Sequence, residues 1–195
     1  MPRQRYDARF TRRAYGGFMN LDIYEASIWM DDRRIDVTRE VHDHGHGAAV
    51  LPYDPSRRTA LLARQLRLPV HAASGDGLLL EVAAGLIDPE DADAAAAAKR
   101  EAREELGYTV HDLRHVATFY PIPGMVTEQM SCFLAHYGPH DKVAGDTGAD
   151  ADEMIEVEEW SLSALWAAKE EGSLMDGKAL MCLMALRLSE PHLFE

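Results

Sequence analysis

Arg100-Glu101-Ala102-Arg103-Glu104-Glu105-Leu106-Gly107 is the stretch on which the fold turns. Glu101, Glu104 and Glu105 are related by i, i+3 and i, i+4, so on a helix their side chains leave from one face. Like charges at that spacing repel unless a cation bridges them, and a cluster of carboxylate oxygens selects hard ions such as Mg²⁺ or Mn²⁺. Arg100 can equally pair with Glu104 on an ordinary solvated face, and the octet alone leaves the two readings level. Gly107 suits the position after a helix end, where positive φ is needed.

Upstream of the octet, the alanines at 94–98 extend the same helix, with Asp91 or Asp93 as its N-cap. Ala lets a helix lie close to a sheet, so this block reads as a packing surface. Before it, residues 78–82 read as a core strand that runs into Gly85. Earlier still, alternation over 21–28 and 35–41 around a polar Met30-Asp31-Asp32-Arg33 turn predicts an antiparallel hairpin. Residues 47–53 and 59–64, separated by Asp54-Pro55-Ser56-Arg57, predict a more buried strand pair.

Downstream, strands are expected over 110–120 and 127–137, joined by a Pro121-Ile122-Pro123-Gly124 turn. An acidic loop over 138–153 leads to a short strand at 155–160. Helices over 163–171 and 176–188 close the chain, the second with an apolar stripe of Leu180, Leu183, Met184 and Leu188. Strands mixed with one central helix and a later helix pair give the α/β class, a sandwich rather than a doubly wound sheet. The expected organisation is 1–46 as an N-terminal antiparallel region and 47–195 as the main domain, which carries the carboxylate helix.

With 195 residues and 47% apolar content the chain can bury a full core. Its formal charge of -13 argues against a nucleic-acid partner, which needs a basic stripe to displace counterions. No signal-like or membrane-spanning apolar run occurs, so a cytoplasmic protein without a membrane partner is expected. Cys132 and Cys182 lie in apolar runs without CxxC spacing and read as buried free thiols. His42, His44 and His46 alternate with Asp43 and Gly45; a transition-metal site is the lesser reading of that run, and a linker to the core the greater.

Leu80-Glu81-Val82-Ala83-Ala84-Gly85-Leu86-Ile87-Asp88, the following loop and the carboxylate helix together resemble the Nudix box. The second half of that pattern, Arg-Glu-aliphatic-x-Glu-Glu-x-Gly-aliphatic, is complete, with Tyr108 in the last apolar slot. Between Gly85 and Arg100 there is one residue more than the pattern has, and Asp91 or Glu90 occupies the place of its first glutamate. Stretches at 61–69, 76–81, 123–128 and 176–178 extend the likeness, over roughly 16–188, to the Nudix nucleoside-diphosphate-sugar pyrophosphatases. That branch includes ADP-ribose and GDP-mannose hydrolases.

The resemblance implies a Nudix-type αβα sandwich with a mixed sheet, and a homodimer that exchanges its N-terminal strands. It implies Glu101 and Glu105 as principal ligands of Mg²⁺, with Mn²⁺ as the alternative ion. Glu104 would be a further ligand or orienting carboxylate, the backbone carbonyl of Ala84 an added oxygen, and Arg100 the group that holds the glutamates in register. Glu153 matches the loop acid that serves as last ligand and general base, with Asp150 and Asp152 as rivals. The physical logic agrees, because a diphosphate must be neutralised before water can attack phosphorus.

Arg64 and Arg67 would touch phosphate or sugar by the same likeness, although arginines on an edge strand can equally be solubilising. Glu81, on an otherwise apolar strand, is costly without a partner and so points to the site. Gly124 and Glu128 would be substrate-side contacts, with a simple turn as the alternative. The expected reaction is hydrolysis of a nucleoside diphosphate sugar to a nucleoside monophosphate and a sugar phosphate; the rival is a Nudix-fold module that binds such a compound without cleaving it.

Overall fold

A computed structural model describes residues 4–145 and 154–195. The chain divides into two compact units, one running to His46 and including Tyr120–Gln129, the other comprising Gly47–Phe119 and Met130–Glu195.

In the first unit β1 (Gln4–Gly16), β2 (Asn20–Met30) and β3 (Arg33–Asp43) form an antiparallel sheet in that order. Its register lines up Tyr6, Ile28 and Ile35, then Ala8, Ala26 and Val37. On the alternate positions Arg5, Trp29 and Arg34 align, and both guanidinium groups lie over the indole at 5.4 and 5.5 Å from a ring centroid. The hairpin expected over 21–41 is present and longer. The strand over 4–16 adds to that hairpin, and arginines at 5, 9, 12 and 13 conceal its alternation in the sequence.

In the second unit the strands are β4 (Gly47–Asp54), β5 (Thr59–Leu66), β6 (Leu78–Glu81), β7 (Ala83–Leu86), β8 (His111–Phe119), β9 (Met130–His136) and β10 (Glu156–Ser161). Among the described residues the sheet order is β10-β5-β4-β9-β8, with β6 on β5 and β7 on β4. The β4–β9 ladder is parallel and the others antiparallel, so the sheet is mixed. The strand pair expected from 47–53 and 59–64 holds only at Tyr53–Ala60 and Asp54–Thr59, because the rest of β4 bonds to β7 and β9.

Pleating sends alternate residues to opposite faces. Ala48, Val50, Leu61, Ala63, Phe133 and Ala135 meet the helix α2 (Ala94–Leu106), whose Ala97, Ala98 and Ala102 are fully buried. Ala49, Leu51, Leu62, Cys132 and Leu134 meet α3 (Leu162–Glu171) and α4 (Gly177–Ser189) on the other face. The result is a helix–sheet–helix sandwich in the α/β class, as the sequence led us to expect.

Asp93 rather than Asp91 caps α2, accepting the Ala96 amide at 2.8 Å, and Gly107 ends it at φ 70°. A short helix α1 (Leu68–Ser74) follows β5 and is not legible in the sequence, since it is a single turn or two with Pro69 in its first turn. The stripe expected on α4 is rotated: Ala179, Cys182, Leu183 and Leu186 are buried, whereas Met184 and Leu188 are exposed. Both cysteines are buried and free. β8 and β9 stop at Phe119 and start at Met130, and 120–129 between them joins the first unit, where Thr127 N–H donates to the His42 carbonyl at 2.9 Å.

Candidate active site

Three strand residues set the floor of the site. The Ala84 amide on β7 donates to Glu105 Oε2 at 2.9 Å, so the last carboxylate of α2 is tied to the strand that passes beneath it. Gly85 lies opposite Ala48 in the ladder, and a Cβ built there would stand 2.0 Å from Glu101 Oε1. The Glu101 carboxylate fills that space, so any side chain at position 85 would have to displace it. Gln65 on β5 approaches Glu105 Oε1 with its amide nitrogen at 3.4 Å. Glu101 and Glu105 are consequently buried, at 8% and 6% exposure.

Arg100 organises the other side. It donates to Glu101 Oε1 at 2.7 Å, Glu104 Oε2 at 2.8 Å and the Leu86 carbonyl at 2.9 Å. Its Nε and Nη2 reach Asp91 at 3.3 and 2.9 Å. Of the two neighbouring acids, Asp91 is the one that Arg100 holds. The hydrogen bond donated to Asp91 is the chief reason the guanidinium is held above its ordinary pKa, and the same bond holds Asp91 below the usual carboxylate range.

Beyond the end of β6, Arg67 and Lys178 converge on Glu81. Arg67 donates at 2.6 and 3.2 Å, and the Lys178 ammonium at 3.1 Å. Lys178 also reaches Asp176 at 2.8 Å, and Asp176 caps α4 while accepting the Val82 amide at 3.3 Å. Burial pushes Glu81 upward, but the Arg67 hydrogen bond and the Lys178 charge outweigh it and hold the carboxyl below its ordinary range. Burial likewise lowers Lys178, and Asp176 and Glu81 together raise it above its ordinary value.

Arg64 is paired instead with Glu158 on β10, its Nε donating to one carboxylate oxygen and its Nη2 to the other, with Trp160 Nε1 donating to the same side chain. Gly124 and Glu128 fall in the first unit. Glu128 faces His44 Nε2 at 3.8 Å, and a Cβ at Gly124 would meet nothing within 4 Å. Asp150, Asp152 and Glu153 lie outside the described residues.

Among the described residues, no three His, Cys, Asp or Glu side chains converge as ligands around one point, the histidines at 42, 44 and 46 included. The transition-metal reading of that run is not supported. At α2, Arg100 draws Glu101 and Glu104 to itself. The donor set there is nonetheless all oxygen, two buried carboxylates beside a backbone turn cleared of a side chain at Gly85, and that chemistry suits a hard divalent cation.

Two residues had no assigned role from sequence. Lys178 belongs to a stretch noticed only for its likeness to the family, and its aim at Glu81 depends on how α4 packs. Gln65 breaks an apolar row on β5, a signal visible in the sequence once the facing helix is known.

A family model described as the NUDIX domain matches residues 43–178. The GDP-mannose pyrophosphatase of Yersinia enterocolitica serotype O:8 is 40% identical over 146 residues, 74% of this chain and 75% of that protein. The GDP-mannose pyrophosphatase of Klebsiella pneumoniae is 38% identical over 152 residues, 77% of this chain and 75% of its own. A crystal structure of an ADP compounds hydrolase shares the fold, with a TM-score of 0.70 over 95% of this chain and 92% of that one at 17% identity. Among the described residues, no helix is long and apolar enough to cross a membrane.

Proposed function

This chain belongs to the Nudix hydrolase family, and from that premise we propose that it hydrolyses the pyrophosphate bond of a nucleoside diphosphate sugar. GDP-mannose, giving GMP and mannose 1-phosphate, is the first candidate because two relatives carry that name; ADP-ribose, giving AMP and ribose 5-phosphate, is the second. The observation that carries the reading is the seating of Glu101 and Glu105, both buried carboxylates, against Gly85 and the Ala84 amide.

In this reading Glu101, Glu105 and the Ala84 carbonyl hold Mg²⁺, or Mn²⁺, with Glu104 as a further ligand. The cation supplies neutralisation of the diphosphate and polarisation of the phosphoryl group. Arg100 keeps Glu101 and Glu104 in register. Arg67 and Lys178, steadied on Glu81, offer positive charge to the diphosphate. Arg64 steadies β10 through Glu158 and offers what remains of its guanidinium to sugar or phosphate. Gly124 and Glu128 serve as substrate-side contacts, and Glu153, or Asp150 or Asp152, is the general base. We take the protein to be a cytoplasmic homodimer.

Incubating purified protein with GDP-mannose or ADP-ribose and MgCl₂ tests the reading by release of the monophosphate. Glu105→Gln should lower turnover by about a hundredfold or more at unchanged fold. Tight binding without product, or full turnover in that variant, would overturn the assignment.

A further inference from the structure

We propose that Gln65 is a positioning residue for Glu105, setting the direction in which that carboxylate meets a divalent cation. The proposal rests on the metal site put forward above and adds to it a residue that acts from the sheet.

Leu61 and Ala63 on β5 face α2, whereas Ala60 and Leu62 face the opposite layer. Carried two residues further, the alternation puts position 65 on the α2 side, where an apolar residue would continue the row. Gln65 stands there at 6% exposure. A buried amide is costly without a partner, and the partner is Glu105 Oε1 at 3.4 Å from Nε2. The amide's orientation follows from that pairing, because the reverse would set two acceptors against each other.

The other oxygen of Glu105 takes the Ala84 amide at 2.9 Å. Donors from two different strands thus bracket one carboxylate, and both are neutral. Glu101 and Glu104, by contrast, share the charge of Arg100. A neutral donor orients a carboxylate without cancelling its charge, so these two amides set where the Glu105 oxygens point without themselves drawing on its attraction for a cation. The Gln65 contact is long for a hydrogen bond, so it steers the carboxylate rather than locking it.

Gln65→Met keeps length and bulk, removes the donor and continues the apolar row. Binding of Mn²⁺ without substrate, followed by the electron paramagnetic resonance signal of the free ion, reads the effect apart from turnover. We expect affinity to fall about tenfold to a hundredfold. The Mg²⁺ concentration for half-maximal rate should rise in step, while KM for the nucleotide sugar at saturating metal and the melting temperature hold. Gln65→Leu should behave alike. A purely structural role would instead lower the melting temperature and leave Mn²⁺ affinity alone, and that result overturns the proposal. Glu105→Gln separates the two levels. If it loses Mn²⁺ while Gln65→Met binds as the wild type does, the Gln65 role alone falls; if Glu105→Gln also binds normally, the metal assignment falls and this proposal with it.

Discussion

At the residue scale the site depends on which acid meets Arg100. Two neighbouring acids, Glu90 and Asp91, could fill that place by sequence, and only the path of the loop decides between them. Asp91 takes two guanidinium nitrogens and also accepts the Asp88 amide at 2.9 Å, so its carboxylate fastens the loop to the helix. Asp91→Asn should free Arg100 to lean further onto Glu101 and Glu104, withdrawing charge from the proposed cation. The expected result is a fall in kcat of about tenfold to a hundredfold with little change in KM, measured by steady-state kinetics at saturating Mg²⁺. An unchanged kcat would mean the register of the glutamates does not depend on this acid. The three glutamates and their arginine were legible because helical spacing alone brings them to one face. Gln65 and Lys178 were not, because each acquires its meaning from a partner 40 or 97 positions away.

At the element scale α2 is placed by the absence of side chain. Ala97, Ala98 and Ala102 are fully buried against strands that themselves present Ala48 and Ala63, so the helix lies near enough for Glu105 to reach the Ala84 amide. Ala98→Leu should overpack that interface and cost about 1–3 kcal/mol, read as a lower denaturant midpoint at unchanged slope. Asp93→Ala removes the cap and should cost about 1 kcal/mol by the same measurement, with activity retained. The alanine block was readable as a packing face because Ala has no other claim on a long helix. β1 was hidden by its arginines, and α1 is too short for periodicity to show. The splaying of β4 from β5 after two residue pairs could not be foreseen either, since the two strands share a largely apolar stretch and hydropathy does not say which neighbour takes the ladder.

At the scale of the whole molecule, acid stability and assembly both follow from charge and exposed surface. Glu81 is held below its ordinary value of 4.5, so its contribution to folding is complete above that pH and is lost as pH falls through the lower folded value. Lys178, held above 10.5, contributes below that pH and loses its contribution only as pH climbs through the raised value. Chemical unfolding of wild type and Glu81→Gln should therefore differ most at neutral pH and converge as pH falls through the lowered folded value of Glu81. A constant gap would show that Glu81 does not titrate with folding. The sheet of the first unit bears on assembly. One face carries Asp7, Arg9, Glu25, Ser27 and Asp36, with Arg9 bonded to Glu25 at 2.8 Å and Ser27 to Asp36 at 2.6 Å. The alternate positions carry Tyr6, Phe10, Tyr24, Ile28 and Ile35, and Tyr6, Phe10 and Ile35 stand 75%, 52% and 52% exposed. An apolar row of that extent on a sheet marks an interaction surface rather than chance exposure. The proposed homodimer would cover it, and a paired lysine substitution, Tyr6→Lys with Ile35→Lys, places two charges on one cross-strand row. Sedimentation velocity should then find the wild type as a dimer and the double variant as a single chain, while circular dichroism stays unchanged. A wild type that sediments as one chain at micromolar concentration would remove the dimer from the proposal and leave that face to another partner.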